Sequence, residues 1–475
     1  MWNDSTQSLM LWLLPLLIIL AGLLTAGHAL LNKRDSRSAF GWIALCIILP
    51  IAGPVLYLLF GINRVRTRAR RDYNTKVHRD ALQTIIHPDG TDFRPLSTIG
   101  ENLSRKGLSS CTNFTIYENG ESLYPAMIDA INQASDRILL ASYIFDSNNA
   151  GQDIARALAA AQQRGVKVRV ILDGLGELMS IPRIGRTLKK LGIRFTRFNP
   201  VKLFPPSLNI NLRNHRKVMI VDGLTAFTGG QNIGDRHLAE IIHNRHRVQD
   251  IHFSMQGKIV DELEWTFWQD WYYCCADPDA HHFRGTNVNE VDAAVWSRVI
   301  LDGPNKDLDK LSHLINGVIS AARHQVLIMT PYFIPTFDLI GALIAAHLRG
   351  VKVTILLPGH NNIKLADWAS RNSVKQLLEA GLDIRYQPAP FVHSKLLLVD
   401  SNYSLIGSAN IDPRSLRLNY ELGVELFSET INAQLQDYFW RKADLADAAT
   451  LNWLRERSLP VRLRDSLAWL FSPYL

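Results

Sequence analysis

Hydrophobic and polar positions along this chain fall into distinct regimes. From Leu9 to Leu31 the sequence is almost wholly apolar, long enough to cross a bilayer core as a helix of roughly 20 residues. A second apolar stretch, Ala39 to Gly61, is interrupted by Pro50, Gly53 and Pro54. Further on, short apolar runs alternate with Ala- and Leu-rich stretches. Ile138 to Phe145 and Val326 to Phe333 read as apolar strands, each followed by a helix-like stretch and then a second strand. Those second strands lie in Arg164-Gly165-Val-Lys-Val-Arg-Val-Ile-Leu-Asp-Gly174 and Arg349-Gly350-Val-Lys-Val-Thr-Ile-Leu-Leu-Pro-Gly359. Strand, helix, strand with Gly at the helix end predicts a βαβ unit, hence a parallel sheet covered by helices. The pattern occurs twice, so the expected class is α/β: two repeated halves with mixed or parallel sheets around one site, preceded by a two-segment membrane anchor.

These regimes set the expected boundaries. Residues 1–72 form the anchor and a basic stretch, 73–283 the first half, 284–304 a poorly patterned linker, 305–450 the second half, and 451–475 an apolar C-terminal segment. A cleaved signal peptide fits less well than an anchor, because no Lys or Arg precedes the first apolar run and a second follows at once. Arg64, Arg66, Arg68, Arg70 and Arg71 follow the second segment, which by the positive-inside rule puts the rest of the chain in the cytoplasm. Lys33, Arg34 and Arg37 between the segments argue partly against a simple hairpin, so the second segment is read either as spanning or as re-entrant or interfacial with basic residues at both ends on one side.

Composition narrows the picture. The 475 residues, 47% hydrophobic, suffice for two α/β halves and an appendage. The cysteines, Cys46, Cys111, Cys274 and Cys275, have no metal-ligand spacing, so a reducing compartment and metal-free, cofactor-free chemistry are expected. A formal charge of +8 would hold the chain against an anionic lipid surface, although a nuclease would also be basic. Trp265, Trp268, Trp271, Tyr272 and Tyr273 lie largely at helical spacing and read as core. Pro200 to Leu208 has apolar side chains in an expected loop, read equally as buried packing or the lip of an acyl-chain groove. The run Leu467 to Leu475 is too apolar for a loose terminus and is expected to dock on protein or membrane.

The chemistry is carried by a pattern that occurs twice: His215-Arg-Lys217 followed by Asp222, and His393-Ser-Lys395 followed by Asp400. In an extended strand the side-chain period is two, so each His projects beside its Lys. Both motifs continue as strand, turn and strand to a small-residue corner, Gly229-Gly230-Gln-Asn232 or Gly407-Ser408-Ala-Asn410. Asp222-Gly223 is a hairpin-turn dipeptide, so each motif's Asp, although counted with the catalytic set, is expected to fix the turn. The doubled His-x-Lys with Asp five residues after the Lys resembles the signature of the phospholipase D superfamily, which carries it twice around one active site. The fold this implies is two phospholipase D-like α/β halves.

Displacement at a phosphodiester needs a nucleophile, cations for the phosphoryl oxygens and an acid for the leaving alkoxide. One histidine would attack phosphorus, the other protonate the leaving oxygen, and Lys217 and Lys395 clamp the phosphoryl group. Asn232 and Asn410 would add phosphate-binding hydrogen bonds. The resemblance also implies an acidic residue some 25 to 35 positions after each His to fix its tautomer. Asp250 and Glu421 lie at that spacing.

Within the superfamily the chain most resembles bacterial cardiolipin synthases. The resemblance is carried by Thr330-Pro-Tyr-Phe-Ile-Pro335, Asn232-Ile-Gly-Asp235, Asn214-His215-Arg-Lys217 and Gly407-Ser-Ala-Asn-Ile-Asp-Pro-Arg-Ser-Leu-Arg-Leu-Asn-Tyr-Glu421, with the doubled apolar N-terminus and the closing Phe-Ser-Pro-Tyr-Leu. It implies phosphatidyl transfer between two phosphatidylglycerol molecules, giving cardiolipin and glycerol through a phosphohistidine; the sequence leaves the nucleophile open between His215 and His393, and the resemblance favours His215. It further implies an enzyme of the bacterial cytoplasmic (inner) membrane facing the cytoplasm, with phosphatidylglycerol and cardiolipin as partners, no nucleic acid, and a homo-oligomer among the compatible states. Ser394, where many relatives have Ala, should point off the active face. A membrane-bound phospholipase D using water would share every catalytic residue. A membrane-tethered phosphodiesterase or nuclease should show a wide basic groove with stacking aromatics, and none is evident around either motif.

Overall fold

The computed structural model describes residues 4–33, 35–61, 93–201, 211–241, 244, 246–275, 277 and 295–475. The chain divides into two compact units, residues 1–71 and 72–475.

The first unit is built on one long helix, Asp4–Asn32, of which Leu13–Asn32 is long and apolar enough to cross a membrane. Its leucines at 14, 16, 17, 20, 23 and 24 are exposed. A second helix, Ser36–Ile48, starts at Asp35, whose carboxylate accepts the Ser38 N–H at 2.9 Å. At ~1.5 Å per residue such a helix rises only ~20 Å, short of a bilayer core. The break that follows contains Pro50, and the chain then doubles back through Ala52–Leu56 and a wide turn, Tyr57–Gly61. Gly53 makes the reversal feasible, since a Cβ there would lie 2.3 Å from the Leu45 carbonyl oxygen. On its return, Tyr57 OH meets His28 Nδ1 at 2.7 Å and Lys33 Nζ donates to the Gly61 carbonyl at 2.7 Å. Both ends of the second segment therefore lie at the same end of the long helix. Arg64 to Arg71 fall outside the described residues.

The second unit contains both repeats. In chain order the first half contributes β1 (Ser109–Glu118), β2 (Arg137–Ser142), β3 (Lys167–Asp173), β4 (Arg194–Phe198), β5 (Val218–Val221), β6 (Thr225–Gly229), the two-residue β7 (Val248–Gln249) and β8 (Ile251–Gln256). The second contributes β9 (Val295–Asp302), β10 (Gln325–Met329), β11 (Lys352–Pro358), β12 (Asp383–Gln387), the two-residue β13 (Phe391–Val392), β14 (Leu396–Val399), β15 (Tyr403–Gly407), β16 (Glu421–Phe427) and an edge strand, β17 (Asp447–Ala448). Among the described residues, fifteen strands form one continuous sheet. Read outward from its middle, one side runs β1-β8-β6-β5-β2-β3-β4 and the other β9-β16-β15-β14-β10-β11-β12. The strands β2-β3-β4 and β10-β11-β12 are parallel, as the βαβ pattern predicts, and the inner strands are antiparallel.

The two halves meet where β1 pairs antiparallel with β9, Ser109 opposite Ser297 and Cys111 opposite Val295. That seam corrects the sequence reading, which placed 284–304 in a linker. Residues 295–302 instead form a buried central strand. Its polar residues conceal it, because each finds an internal partner: Ser297 Oγ donates to the Ser109 carbonyl at 2.9 Å, and Arg298 donates to the Ser97 carbonyl and hydroxyl at 3.0 Å. The helix Arg94–Ser104, counted with the first half, contributes Leu96 to the second half's core.

Each half buries its own apolar core between sheet and helices. The helices after β2 and β10, Asn149–Gln163 and Phe337–Leu348, are followed by Gly165 (φ +95°) and Gly350 (φ +90°). Nothing crowds a Cβ at either glycine, so the left-handed backbone is the reason for glycine there. The helix Ile259–Cys275 buries Trp265, Trp268 and Trp271 of the aromatic cluster read as core, while Tyr272 and Tyr273 at its end are only partly buried. Of Pro200 to Leu208, residues 202–208 lie outside the described residues.

Candidate active site

Each His-x-Lys motif enters a four-residue hairpin strand, β5 or β14, and that strand separates the motif's ends. Asp222 and Asp400 sit at the hairpin turns with φ of 54° and 53°. Asp222 accepts the N–H groups of Ser135 at 2.8 Å and of Asp136 and Arg137 at 2.9 Å. Asp400 accepts those of His324 at 2.7 Å and Gln325 at 3.0 Å. Burial raises the Asp222 pKa, but the three N–H groups outweigh it and hold the carboxylate below its usual range. Five residues of extended chain, ~16 Å, part each Asp from its Lys. The structure therefore takes Asp222 and Asp400 out of the site with which they were grouped and makes them clamps on the starts of β2 and β10.

At the other end of the hairpins the two halves exchange backbone. The His215 N–H donates to the Tyr420 carbonyl at 2.9 Å, and the Tyr420 N–H donates to the Arg213 carbonyl at 2.8 Å. In the mirror arrangement β13 pairs with β7, and the His393 N–H donates to the Gln249 carbonyl at 2.7 Å. Each histidine is thus registered beside the residue preceding the other half's acid. His393 Nδ1 lies 2.9 Å from Asp250 Oδ2, and His215 Nδ1 lies 2.9 Å from Glu421 Oε1. Both acids that the resemblance implied face a histidine, but across the seam. Along the sequence Asp250 follows His215, whereas in space it serves His393. Spacing within one half cannot reveal an exchange that backbone pairing between halves creates.

A carboxylate at Nδ1 leaves Nε2 of each ring for chemistry. Both acids are fully buried. Burial alone would raise Asp250, but Lys395 and His393 overcome it and bring the carboxyl down to about 2. His393 is pushed down to about 4, by burial first and then by Lys395. Lys395 itself is lowered to about 7 by burial, with Lys217 adding repulsion against the pull of Asp250. Burial likewise lowers Lys217. Each ammonium folds back on its own motif: Lys217 Nζ donates to the His215 carbonyl at 2.7 Å, and Lys395 Nζ to the His393 carbonyl at 2.5 Å. Lys395 Nζ also stands 3.1 Å from His393 Nε2.

The two asparagines flank this group. Asn232 Oδ1 accepts the Ile144 N–H at 3.2 Å, which leaves its amide NH₂ for a ligand, and Asn410 Nδ2 donates to Ser415 Oγ at 3.2 Å. Ser394 turns away from the site, its hydroxyl 3.0 Å from Tyr438 OH.

Further residues, not singled out from the sequence, complete the arrangement. Tyr143 packs its ring 4.1 Å from that of His215, centroid to centroid. His237, buried and pushed down to about 3 by that burial, accepts the Asn232 N–H at Nε2, 3.3 Å away. Ser408 Oγ donates to Glu421 Oε2 at 2.5 Å. At the corresponding corner of the first half stands Gly230, where a Cβ would lie 2.4 Å from Asp250 Oδ1. The signal for that pair was present in the sequence: the two corners differ as Gly-Gly and Gly-Ser, and the two acids differ as Asp and Glu.

His215, Lys217, Asn232, His393, Lys395 and Asn410 all line a single cavity of about 490 Å³, within the range of small-ligand sites. Part of its wall is apolar, formed by Ile334, Ile363, Ala366, Phe391 and Leu475. Two histidines with fixed tautomers, two lysines and two asparagines converging on one pocket suit the displacement of an anionic phosphodiester.

Comparison with known proteins agrees with this chemistry. The model of the cardiolipin synthase, PLD-like domain matches residues 127–271 and 315–443, and that of the phospholipase D-nuclease N-terminal region matches 11–61. A cardiolipin synthase of Clostridium perfringens is 29% identical over 457 residues, covering 94% of this chain and 96% of its own. Cardiolipin synthase 1 of Bacillus anthracis is 30% identical over 467 residues, covering 94% of this chain and 90% of its own. The crystal structure of phosphatidylserine synthase from Haemophilus influenzae, 14% identical, shares the fold with a TM-score of 0.64, covering 80% of this chain and 100% of that one. With a family model across both halves and relatives aligned over nearly its whole length, this chain belongs to the cardiolipin synthase family of proteins with phospholipase D-like domains.

Proposed function

We propose that this chain is a cardiolipin synthase, transferring the phosphatidyl group of one phosphatidylglycerol to the glycerol hydroxyl of another. The observation that carries the reading is the pair of histidines, each with an acid from the opposite half at Nδ1, on one cavity with Lys217 and Lys395. His215 or His393 attacks phosphorus through Nε2. The bond from phosphorus to the head-group glycerol breaks, and the other histidine, protonated as the anionic phosphodiester beside it raises its pKa, delivers a proton to the leaving oxygen. Lys217 and Lys395 exchange their histidine carbonyls for phosphoryl oxygens, and the Asn232 and Asn410 amides add hydrogen bonds. The second phosphatidylglycerol then gives its hydroxyl proton back to the same histidine and attacks phosphorus, releasing the nucleophile and forming cardiolipin.

One phosphodiester replaces another, so the exchange is nearly isoenergetic and its direction follows lipid and glycerol concentrations. Water is the competing nucleophile, and the apolar part of the cavity wall works against it. The long apolar helix and the family match to residues 11–61 support membrane association. We place the chain in the bacterial inner membrane with the second unit in the cytoplasm, from the basic residues after Gly61.

The test is to incubate the detergent-solubilised chain with phosphatidylglycerol alone and follow lipids and glycerol by mass spectrometry. Cardiolipin and glycerol in equal amounts are expected. Phosphatidic acid and glycerol without cardiolipin would overturn transfer in favour of hydrolysis.

A further inference from the structure

The proposed reaction draws its substrates from a bilayer, and the catalytic unit carries an apolar helix face that leads to the cavity. The helix Leu459–Leu470 is held through one side. Asp465 is buried and pairs with Arg457 at 2.6 Å, Arg464 lies 4.2 Å over the Trp368 ring, and Ala468 joins a small apolar cluster with Ile334 and Ala366. The opposite side is a stripe. Leu459, Leu463, Leu467 and Leu470 recur at four- and three-residue spacing and, with Phe471, are 55 to 65% exposed. Five large apolar side chains on one exposed face are more than scattered surface residues.

Two features indicate what covers the stripe. The first is charge: the segment carries Arg455, Arg457, Arg462 and Arg464 against Glu456 and Asp465, and Arg455 and Arg462 are exposed. An apolar stripe flanked by arginines suits the boundary between anionic head groups and acyl chains. The second is continuity with the cavity. From Phe471 the chain runs on to Leu475, whose carbonyl accepts the Arg414 N–H at 3.0 Å and which itself lines the cavity. Ile334 and Ala366, which meet Ala468 beneath the helix, are cavity wall as well, and the rim residues Met179 and Ile363 are exposed and apolar. The helix that carries the stripe is therefore packed, through its other side and through Leu475, directly against the apolar wall of the cavity.

We propose that the helix Leu459–Leu470, with Phe471, is an interfacial docking surface for an anionic phospholipid bilayer, seating the mouth of the active-site cavity on the lipid that supplies it. The proposal deepens, and rests on, the reading of the substrate as phospholipid. A lipid rising beside the stripe keeps its acyl chains in apolar surroundings while its phosphate reaches the two histidines.

The experiment uses the full chain in vesicles of phosphatidylethanolamine and phosphatidylglycerol, with the photoreactive p-benzoylphenylalanine at position 467. Irradiation is expected to give adducts with phospholipid. Adducts only with a second copy of the chain, or none while the same probe at position 17 labels lipid, would overturn the proposal. In parallel, Leu463→Asp with Leu467→Asp is expected to lower turnover of bilayer phosphatidylglycerol by about tenfold or more. Turnover of a dissolved short-chain phosphatidylglycerol should stay within about twofold, which also reports an intact fold. Equal loss on both substrates, or no loss, would contradict docking. If the unsubstituted chain forms no transfer product from either substrate, the reaction fails as a reading while the adducts still decide the docking.

Discussion

The two histidine sites are built on one plan with different parts. In one, His215 faces Glu421, and Ser408 holds the far oxygen of that long carboxylate at 2.5 Å. In the other, His393 faces Asp250, one methylene shorter, whose second oxygen accepts the Ile251 N–H at 2.8 Å. The corner residue follows from the acid. Gly230 leaves the space that Asp250 occupies, and Ser408 supplies the hydroxyl that Glu421 uses. A repeated fold therefore preserves position rather than chemistry: the same point beside each imidazole is filled, and its partner is whatever the length of the acid requires.

The largest expected effect is common to both sites. His215→Ala and His393→Ala should each reduce cardiolipin formation by at least ~1,000-fold with the circular dichroism spectrum unchanged, since attack and leaving-group protonation need both rings. Next, Asp250→Asn and Glu421→Gln should each cost roughly 100- to 10,000-fold in kcat, by the logic of an acid that fixes an imidazole. Because of the exchange between halves, Asp250→Asn should move the ring nitrogen NMR signals of His393 and leave those of His215 in place, and Glu421→Gln the reverse. Shifts within each half instead would break the comparison.

The corner residues sharpen it. Gly230→Ala should cost about 100-fold by displacing Asp250, and Ser408→Ala about tenfold by removing one hydrogen bond to Glu421. The lysines give a smaller, pH-dependent signal. Burial lowers Lys395 to about 7, so at pH 8 it is mostly neutral until an anionic phosphodiester raises its pKa. Binding of an unreactive phosphatidylglycerol analogue at pH 8 should then take up to about one proton, seen as buffer-dependent heat in calorimetry and lost in Lys395→Met. Smallest for activity are the turn aspartates. Asp222→Ala and Asp400→Ala should each lower stability by about 1–2 kcal/mol in thermal unfolding, with turnover per folded molecule within about twofold.

Much of this was legible from residues alone. The βαβ pattern placed β2, β3, β10 and β11, because strands buried on both faces read as apolar runs. The doubled His-x-Lys placed four site residues, and the family resemblance pointed to Asp250 and Glu421. What could not be read is what depends on the two halves meeting. The seam strand β9 carries Ser297 and Arg298, which look exposed until Ser109 and Ser97 are set against them. The assignment of each acid to a histidine follows from β7 pairing with β13 and Tyr420 with Asn214, contacts between residues more than 140 positions apart. His237 carries no motif, and its role in holding Asn232 follows from burial alone.

The central claim is that one imidazole of the exchanged pair carries the phosphatidyl group. Its most direct test is rapid quenching of the chain with labelled phosphatidylglycerol, followed by digestion at alkaline pH, where phosphohistidine survives, and mass spectrometry of the peptides. The account expects a phosphatidyl adduct on the peptide bearing His215 or on that bearing His393, forming and decaying at the rate of cardiolipin synthesis. Cardiolipin formed with no adduct on either histidine, or with the adduct on another residue, would contradict it.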